Sequence, residues 1–175
     1  MKSIISFLFF VFAISNFNAQ AYKITLQAPE YTSGLAYLTY YYGKNMNVQD
    51  SAIVNSKGVA VFEGKAKILP GVYSIVLPGK TKLFDFLIAN KQIITISIPD
   101  TANIIKTANV TGSEENNLFQ TYQKFVTEKG QVLQKELEAY KNSTTKADSA
   151  LHEKNYKDLN NKLNEYREKI IKEHP

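Results

Sequence analysis

The chain has 175 residues, no cysteine, 21 basic and 16 acidic side chains, and a formal net charge of +5. Without cysteine it forms no disulfide and performs no thiol chemistry of its own. The lysines are scattered along the chain rather than gathered into one patch, which argues against a nucleic-acid-binding protein.

The N-terminal segment has the three parts of a secretory signal peptide. Lys2 provides the positive charge, the apolar run Ile4–Ile14 follows, and Ala19-Gln20-Ala21 is a small-x-small cleavage site. The apolar run is too short for a transmembrane helix, which needs about 20 apolar residues. We therefore expect residues 1–21 to be removed and the protein to be exported, with no transmembrane segment after cleavage.

The first half of the mature chain alternates apolar and polar side chains in short segments, which is typical of β-structure. Asn55–Gly58 predicts a hairpin turn, and the dipeptides Pro70-Gly71 and Pro78-Gly79 predict two further turns. This spacing predicts an antiparallel β-sandwich or open barrel of about eight strands over residues 22–112. The predicted strands are Tyr22–Gln27, Leu35–Tyr42, Val48–Val54, Val59–Ala66, Val72–Leu77, Leu83–Ile88, Gln92–Ile98 and Ile104–Thr111.

From Ser113 onward the apolar period becomes that of a helix. Ser113 with the two acids after it predicts a helix start, and Thr145 with Asp148 predicts a second start through a capping box. Two helices joined by a short loop predict an antiparallel hairpin over residues 113–175, which makes the fold class α+β. The apolar stripes are Phe119, Tyr122, Val126, Leu133, Leu137 and Tyr140 on the first helix, and Tyr156, Leu159, Leu163, Tyr166 and Ile170 on the second.

One apolar stripe on each helix makes only a thin core, so we expect the hairpin to pack on the sheet or on a partner. Gly130 lies on the first stripe, where it would let another backbone come close.

Two motif fragments do not complete a known site. Gly79-Lys80-Thr81 resembles the end of a phosphate-binding loop, but the required earlier glycine is Ser74 and a strand follows instead of a helix. His152-Glu153 begins a zinc-protease motif, but its fifth position is Tyr156. The other histidine, His174, is distant in sequence, so we predict no metal site and no cofactor.

Catalysis by other side chains is also poorly supported. A Ser-His-Asp set lacks a histidine in residues 22–112. Paired carboxylates in a hydrolase stay open as the weakest alternative, and we predict no catalytic residue and no enzyme. The carboxylates concerned are Glu30, Asp50, Glu63, Asp85 and Asp100.

The most unusual local feature is the tyrosine-rich segment around Tyr37, Tyr40, Tyr41 and Tyr42. In a strand, Tyr37 and Tyr41 share one face, whereas Tyr40 and Tyr42 share the other. Exposed tyrosines would stack on glycans or contact a peptide or partner protein, so these four are the candidate contact residues. The alternative is that tyrosine is simply a favourable residue for half-buried strand positions.

The order and spacing of turn glycines and core aromatics over roughly residues 22–140 resembles a bacterial domain of unknown function. That domain lies N-terminal to the thioredoxin-like domain of thiol:disulfide interchange proteins of the TlpA and redoxin type. The residues that carry the resemblance are Asp50-Ser51-Ala52, Gly58-x-x-x-Phe62-x-Gly64, Pro70-Gly71-x-Tyr73-x-Ile75-x-Leu77, Phe84-x-Phe86-Leu87-Ile88 and Val110-x-Gly112-Ser113-x-x-Asn116-x-x-Phe119-x-x-Tyr122.

The resemblance implies a β domain, then a helical segment, then a thioredoxin-like domain with a Cys-x-x-Cys site. It also implies that the exported protein lies in the periplasm or cell envelope of a bacterium. This chain has no cysteine, so none of its residues takes over the redox role. We expect either a fragment of a longer redox protein or a stand-alone accessory module. Its partner would be a thioredoxin-like domain in cis or in trans, which the module positions or docks, and the alternative is an independent module that binds a glycan or a peptide.

Overall fold

The computed structural model describes residues 21–77 and 81–174. The predicted signal peptide up to Gln20 and the predicted turn at Pro78-Gly79 lie outside these residues. The elements in chain order are β1 (Tyr22–Gln27), β2 (Leu35–Tyr42), β3 (Asn45–Ile53), β4 (Val59–Gly64), β5 (Gly71–Leu77), β6 (Thr81–Ile88), β7 (Ile93–Ser97), α1 (Ile104–Thr107), β8 (Asn109–Thr111), α2 (Glu114–Asn142) and α3 (Lys146–Glu173).

The strands form two open four-stranded sheets followed by the helical pair, which confirms the predicted α+β class. One sheet has the order β4-β1-β7-β8 and the other β3-β2-β5-β6. The described strand pairs are antiparallel except β1 and β7, which run parallel with Ile24 opposite Ile94. Two neighbouring parallel strands need a long connection, and the connection from β1 to β7 includes all four strands of the second sheet.

The core lies between the two sheets and takes alternate side chains from the strands, as period-2 patterning requires, except that β3 contributes only half-buried Ala52. Full burial of one large aliphatic or aromatic side chain stabilises the fold by about 1.5–3 kcal/mol, so this layer holds the sandwich together. Its largest fully buried members are Tyr73, Phe62, Phe86, Ile24, Leu26, Leu38, Ile75, Leu77, Ile88, Ile94, Ile96 and Ile98.

The predicted strand Ile104–Thr111 is wrong in its first half, where the chain forms the single helical turn α1 before β8 begins. Local hydrogen bonds explain the difference. The Asp100 carboxylate accepts from the Ala102 N–H at 2.8 Å, and the Thr107 hydroxyl donates to the Asp100 carbonyl at 3.0 Å. Such side-chain bonds to nearby main chain compete with the sheet ladder, and a short apolar run does not reveal them.

Helix α2 covers the open edge of strand β6 with side-chain amides. Asn116 is fully buried; its Oδ1 accepts from the Leu87 N–H at 2.8 Å and its Nδ2 donates to the Leu87 carbonyl at 2.7 Å. Two turns further along the helix, Gln123 Nε2 donates to the Asp85 carbonyl at 3.1 Å. These amides therefore replace the hydrogen bonds that a neighbouring strand would make.

The same helix covers β8, the edge of the other sheet. Gln120 Oε1 accepts from the Val110 N–H at 3.1 Å, and its Nε2 donates to the Ala108 carbonyl at 2.9 Å. Positions 116, 120 and 123 share one helix face, so one segment of α2 closes both sheets on this side of the sandwich.

The opposite side of the sandwich is closed by a different device. The Tyr22 hydroxyl, from the first sheet, donates to Asp50 Oδ2 of edge strand β3 at 2.7 Å. The other carboxylate oxygen of Asp50 accepts from the Ser51 N–H at 2.7 Å. A register shift in the β2–β3 pairing and this inward-pointing acid both discourage further strands from joining the β3 edge.

The hairpin of α2 and α3 forms as predicted, with both helix starts at the expected residues. Thr145 caps α3 by accepting from the Asp148 N–H at 3.1 Å, whereas the Ser113 hydroxyl donates to Glu115 at 2.7 Å rather than capping the main chain. No described helix is long and apolar enough to cross a membrane.

The contact between α2 and α3 is thin. Its centre is aromatic, with the Tyr166 ring 3.9 Å from Phe125 and 6.2 Å from Tyr122 between centroids, and Leu163 is the only described residue of α3 that is buried. The expectation for Gly130 is wrong, because a Cβ there would meet no other atom within 4 Å.

Candidate functional site

The acidic residues of the β half are each engaged in a local contact. Asp50 bonds to Tyr22, Glu63 lies 3.9 Å from the ammonium of Lys23, and Glu30 accepts from the Thr101 hydroxyl. These contacts brace strands and loops, which is a structural use of the carboxylates.

Asp100 has properties that do not suit a general acid. Hydrogen bonds from the Asn103 side chain and the Ala102 N–H hold the pKa of Asp100 below its usual range. A general acid needs a raised pKa, so this carboxyl is poorly placed for the hydrolase alternative.

The helix histidine is a hairpin contact. His152 Nδ1 on α3 lies 2.8 Å from Glu136 Oε2 on α2, and Asn155 Nδ2 donates to the same oxygen at 3.3 Å. These two bonds lower the pKa of Glu136, with His152 as the larger cause. Among residues 21–77 and 81–174, no group of three or more His, Cys, Asp or Glu residues is arranged to hold a metal ion.

The four candidate tyrosines separate into different environments. Tyr40 packs against the core, with its ring 6.0 Å from that of buried Tyr73. Tyr42 is 76% exposed at the end of β2, and Tyr41 is 38% exposed. Tyr37 is half-buried and lies on the same strand face as Tyr41. Ligand contact by these four residues stays a prediction, and half-buried Tyr40 directs part of its side chain to the core.

Tyr41 is joined by two charged residues of β6, and we call Tyr41, Lys82 and Asp85 the Tyr41 cluster. Lys82 Nζ donates to the Tyr41 hydroxyl at 3.0 Å and to both Asp85 carboxylate oxygens at 2.9 and 3.0 Å. The ammonium also lies 5.6 Å from the centre of the Tyr41 ring. Burial alone lowers the pKa of Lys82, but the hydrogen bonds with Asp85 and Tyr41 outweigh it and raise the pKa, which keeps the ammonium charged.

The outer faces of the two sheets differ in chemistry. The outward-pointing side chains of the β4-β1-β7-β8 sheet are mostly polar and include Thr25, Thr95 and Thr111. The outer face of the β3-β2-β5-β6 sheet instead exposes Met46, Val48 and Val72 together with Tyr41 of the Tyr41 cluster. Exposed apolar side chains gathered on one face are typical of an interaction surface.

A second feature is an apolar groove where the helical hairpin meets the sandwich, and we call it the hairpin groove. Its volume is about 680 Å³, within the range of ordinary ligand sites. Because the helices are antiparallel, the last turn of α3 lies beside the first turns of α2. The apolar lining comes from Leu87, Leu118, Phe119, Tyr122, Ile170 and Ile171.

Acidic side chains lie at the α2 end of the hairpin groove. Glu114 lies 3.6 Å from the ammonium of Lys91, and both side chains are well exposed. A hydrogen bond from the Ser113 hydroxyl is the main cause that lowers the pKa of Glu115, so this carboxylate stays ionised. The groove therefore combines an apolar floor with a charged rim.

Sequence reasoning missed the residues that position both surfaces. Lys82 was not singled out, because its partner Tyr41 is on a different strand. The role of the amides Asn116, Gln120 and Gln123 was missed, although their spacing of four and three places them on one helix face. That spacing of three amide side chains was the available signal.

Comparison with protein-family models identifies the family of this chain. No curated protein matches the chain. The family match runs from the start of β1 into the second turn of α2, so it covers both sheets and includes Asn116. Because residues 22–119, more than half of the chain, match the family model described as Domain of unknown function (DUF4369), the protein belongs to that family.

Proposed function

We propose that this protein is a non-catalytic, exported accessory module that positions or docks a thioredoxin-like redox domain, in cis or in trans. Thiol–disulfide exchange needs a thiolate, and this chain has no cysteine to supply one. The redox partner would therefore carry the thiols, and this module would hold the partner in place.

The observation that supports docking most directly is the hairpin groove. Ile171 in its wall is 69% exposed, although isoleucine is among the residues most often buried. One wall of the groove is also fixed, since Asn116 ties the start of α2 to Leu87. Apolar residues that are already held in place lose little conformational entropy when a partner covers them.

Calorimetric titration with a TlpA-type thioredoxin-like domain tests the proposal. Ile171→Lys places a charge in the groove wall and should weaken binding by about tenfold or more, since burying an unpaired charge is costly. The matched control is Ile93→Lys on the outer face of β7, because Ile93 is 66% exposed and lies outside the groove.

Two results would overturn the proposal. One is the absence of binding by the folded wild-type protein, and the other is equal weakening by Ile171→Lys and Ile93→Lys. An insulin-reduction assay adds an independent check, since the protein alone should show no turnover. An independent ligand-binding role is supported by a different surface, the outer face of the β3-β2-β5-β6 sheet.

A further inference from the structure

We propose that the outer face of the β3-β2-β5-β6 sheet carries a binding site for neutral oligosaccharides, built on the Tyr41 cluster. The side chains of Lys82 and Asp85 are 40% and 27% exposed, and Tyr41 is 38% exposed. They are thus ordered by contacts with one another and still open to a ligand.

The floor of the site consists of small residues. Thr39 and Ser74 lie in facing positions of β2 and β5, and both are buried although they are on the outer face. The Thr39 hydroxyl donates to the Ser74 carbonyl at 3.0 Å, and the Ser74 hydroxyl donates to the Phe84 carbonyl at 2.9 Å. Larger neighbours therefore cover this floor, whose own hydroxyls are already satisfied, so a ligand would contact the neighbours and not the floor.

Two tyrosines flank this floor along β2. Tyr37 and Tyr41 lie on either side of Thr39 on the same face, about 13 Å apart between Cα atoms at the rise of a strand. A single sugar ring is too short to reach both tyrosines. The spacing therefore favours an oligosaccharide over a monosaccharide.

The charges of the cluster favour an uncharged ligand. Lys82 and Asp85 form an ion pair at 2.9 Å, so the site has donors and acceptors but no net charge to attract an ion. The Lys82 ammonium near the Tyr41 ring also holds that ring in place. A sugar matches this arrangement, because it has an apolar C–H face for the ring and hydroxyls for the ion pair.

The geometry of the sheet disfavours a peptide. Extended peptides bind proteins by adding a strand at a sheet edge, where main-chain groups are free. The cluster lies on a sheet face that includes the central strands β2 and β5, whose main-chain groups pair within the sheet. Only side chains are available to a ligand there.

NMR titration with cellohexaose, mannohexaose and chitohexaose tests the proposal, with hexa-alanine as the peptide probe. At least one saccharide should shift the resonances of Tyr37, Thr39, Tyr41 and Lys82 at concentrations up to about 10 mM. Tyr41→Ala should weaken that binding by about tenfold. The control is Tyr140→Ala, which removes a tyrosine of similar exposure, 39%, from helix α2 and should leave binding unchanged.

Asp85→Asn provides a second variant that keeps the shape of the side chain, in case Tyr41→Ala fails to fold. Asp85→Asn should also weaken saccharide binding, because the neutral amide removes the negative partner of Lys82 and so breaks the ion pair of the site. The site is wrong if no saccharide binds, if Tyr140→Ala weakens binding as much as Tyr41→Ala, or if only hexa-alanine shifts these resonances. Ile171→Lys in the hairpin groove should not affect saccharide binding, so this test is separate from the docking test.

Discussion

Replacement of Asn116 by alanine should destabilise the protein far more than its position at the start of a surface helix suggests. Asn116 is fully buried, and its amide satisfies both main-chain groups of Leu87 and donates to the Ser113 hydroxyl at 3.1 Å. Asn116→Ala leaves the N–H and the carbonyl of Leu87 without partners at the edge of β6.

The size of the effect follows from these two groups. Each buried main-chain group left without a partner costs about 1–3 kcal/mol, and alanine recovers about 0.5 kcal/mol through its higher helix propensity. For the two groups of Leu87 together, the free energy of unfolding should therefore fall by about 1.5–5.5 kcal/mol. The neighbouring Asn117 is exposed, so Asn117→Ala should change it by no more than about 0.5 kcal/mol.

Urea unfolding followed by circular dichroism measures this difference, and native-state hydrogen exchange locates it. The amide of Leu87 should exchange faster in Asn116→Ala than in the wild-type protein, while Asn117→Ala leaves its exchange unchanged. Equal stabilities for the two variants, or an unaltered Leu87 amide, would refute the idea that the Asn116 amide stands in for a strand.

Three further changes test other contacts. Burial, together with a hydrogen bond to an aspartate of β3, raises the pKa of Tyr22 from 10.0 to about 12; the folded state therefore holds the proton more tightly, and stability should decline as the pH rises from 10 to 12. Tyr22→Phe should make that decline shallower in urea unfolding across this range, and an unchanged slope would contradict the assignment. Gly58→Ala should lower the free energy of unfolding by about 3–5 kcal/mol, since φ is +74° and the added Cβ would overlap the main chain after β1. Gly43→Ala, with φ +61° in open space, should lower it by about 1–2 kcal/mol. Similar losses of melting temperature for the two variants would count against this reasoning. Thr145→Ala should cost about 1 kcal/mol by removing the α3 cap, with exposed Thr144→Ala as a nearly neutral control, and comparable thermal unfolding of the two would disprove the cap.

Much of the fold was predictable because it follows from local patterns. The bounds of β1 and β2 agree with the alternation of side chains, and the capping box at Thr145 marks the start of α3. The segment Ile104–Thr111 was misassigned because the hydrogen bonds of Asp100 and Thr107 override its apolar pattern. The parallel pairing of β1 with β7 was also missed, since strand order depends on long-range contacts.

The candidate surfaces were only partly predictable. The alternation of β2 placed Tyr37 and Tyr41 on one face, but the pattern carries no information on which face packs against Tyr73. Tyr40 was therefore predicted to be a contact residue like the tyrosines beside it, although its side chain packs against the core. The partners of Tyr41 lie 41 and 44 positions away in the sequence, at Lys82 and Asp85, beyond the reach of any local pattern.

A cysteine-free β half followed by two amphipathic helices could be predicted from composition and periodicity, because both are local properties of the chain. How the open sheets are closed depends on contacts between distant segments. Main-chain groups at a sheet edge need partners, and here the amides of Asn116, Gln120 and Gln123 supply them from α2. The same packing brings the end of α3 beside Leu87 and so creates the hairpin groove, which no stretch of the sequence contains on its own.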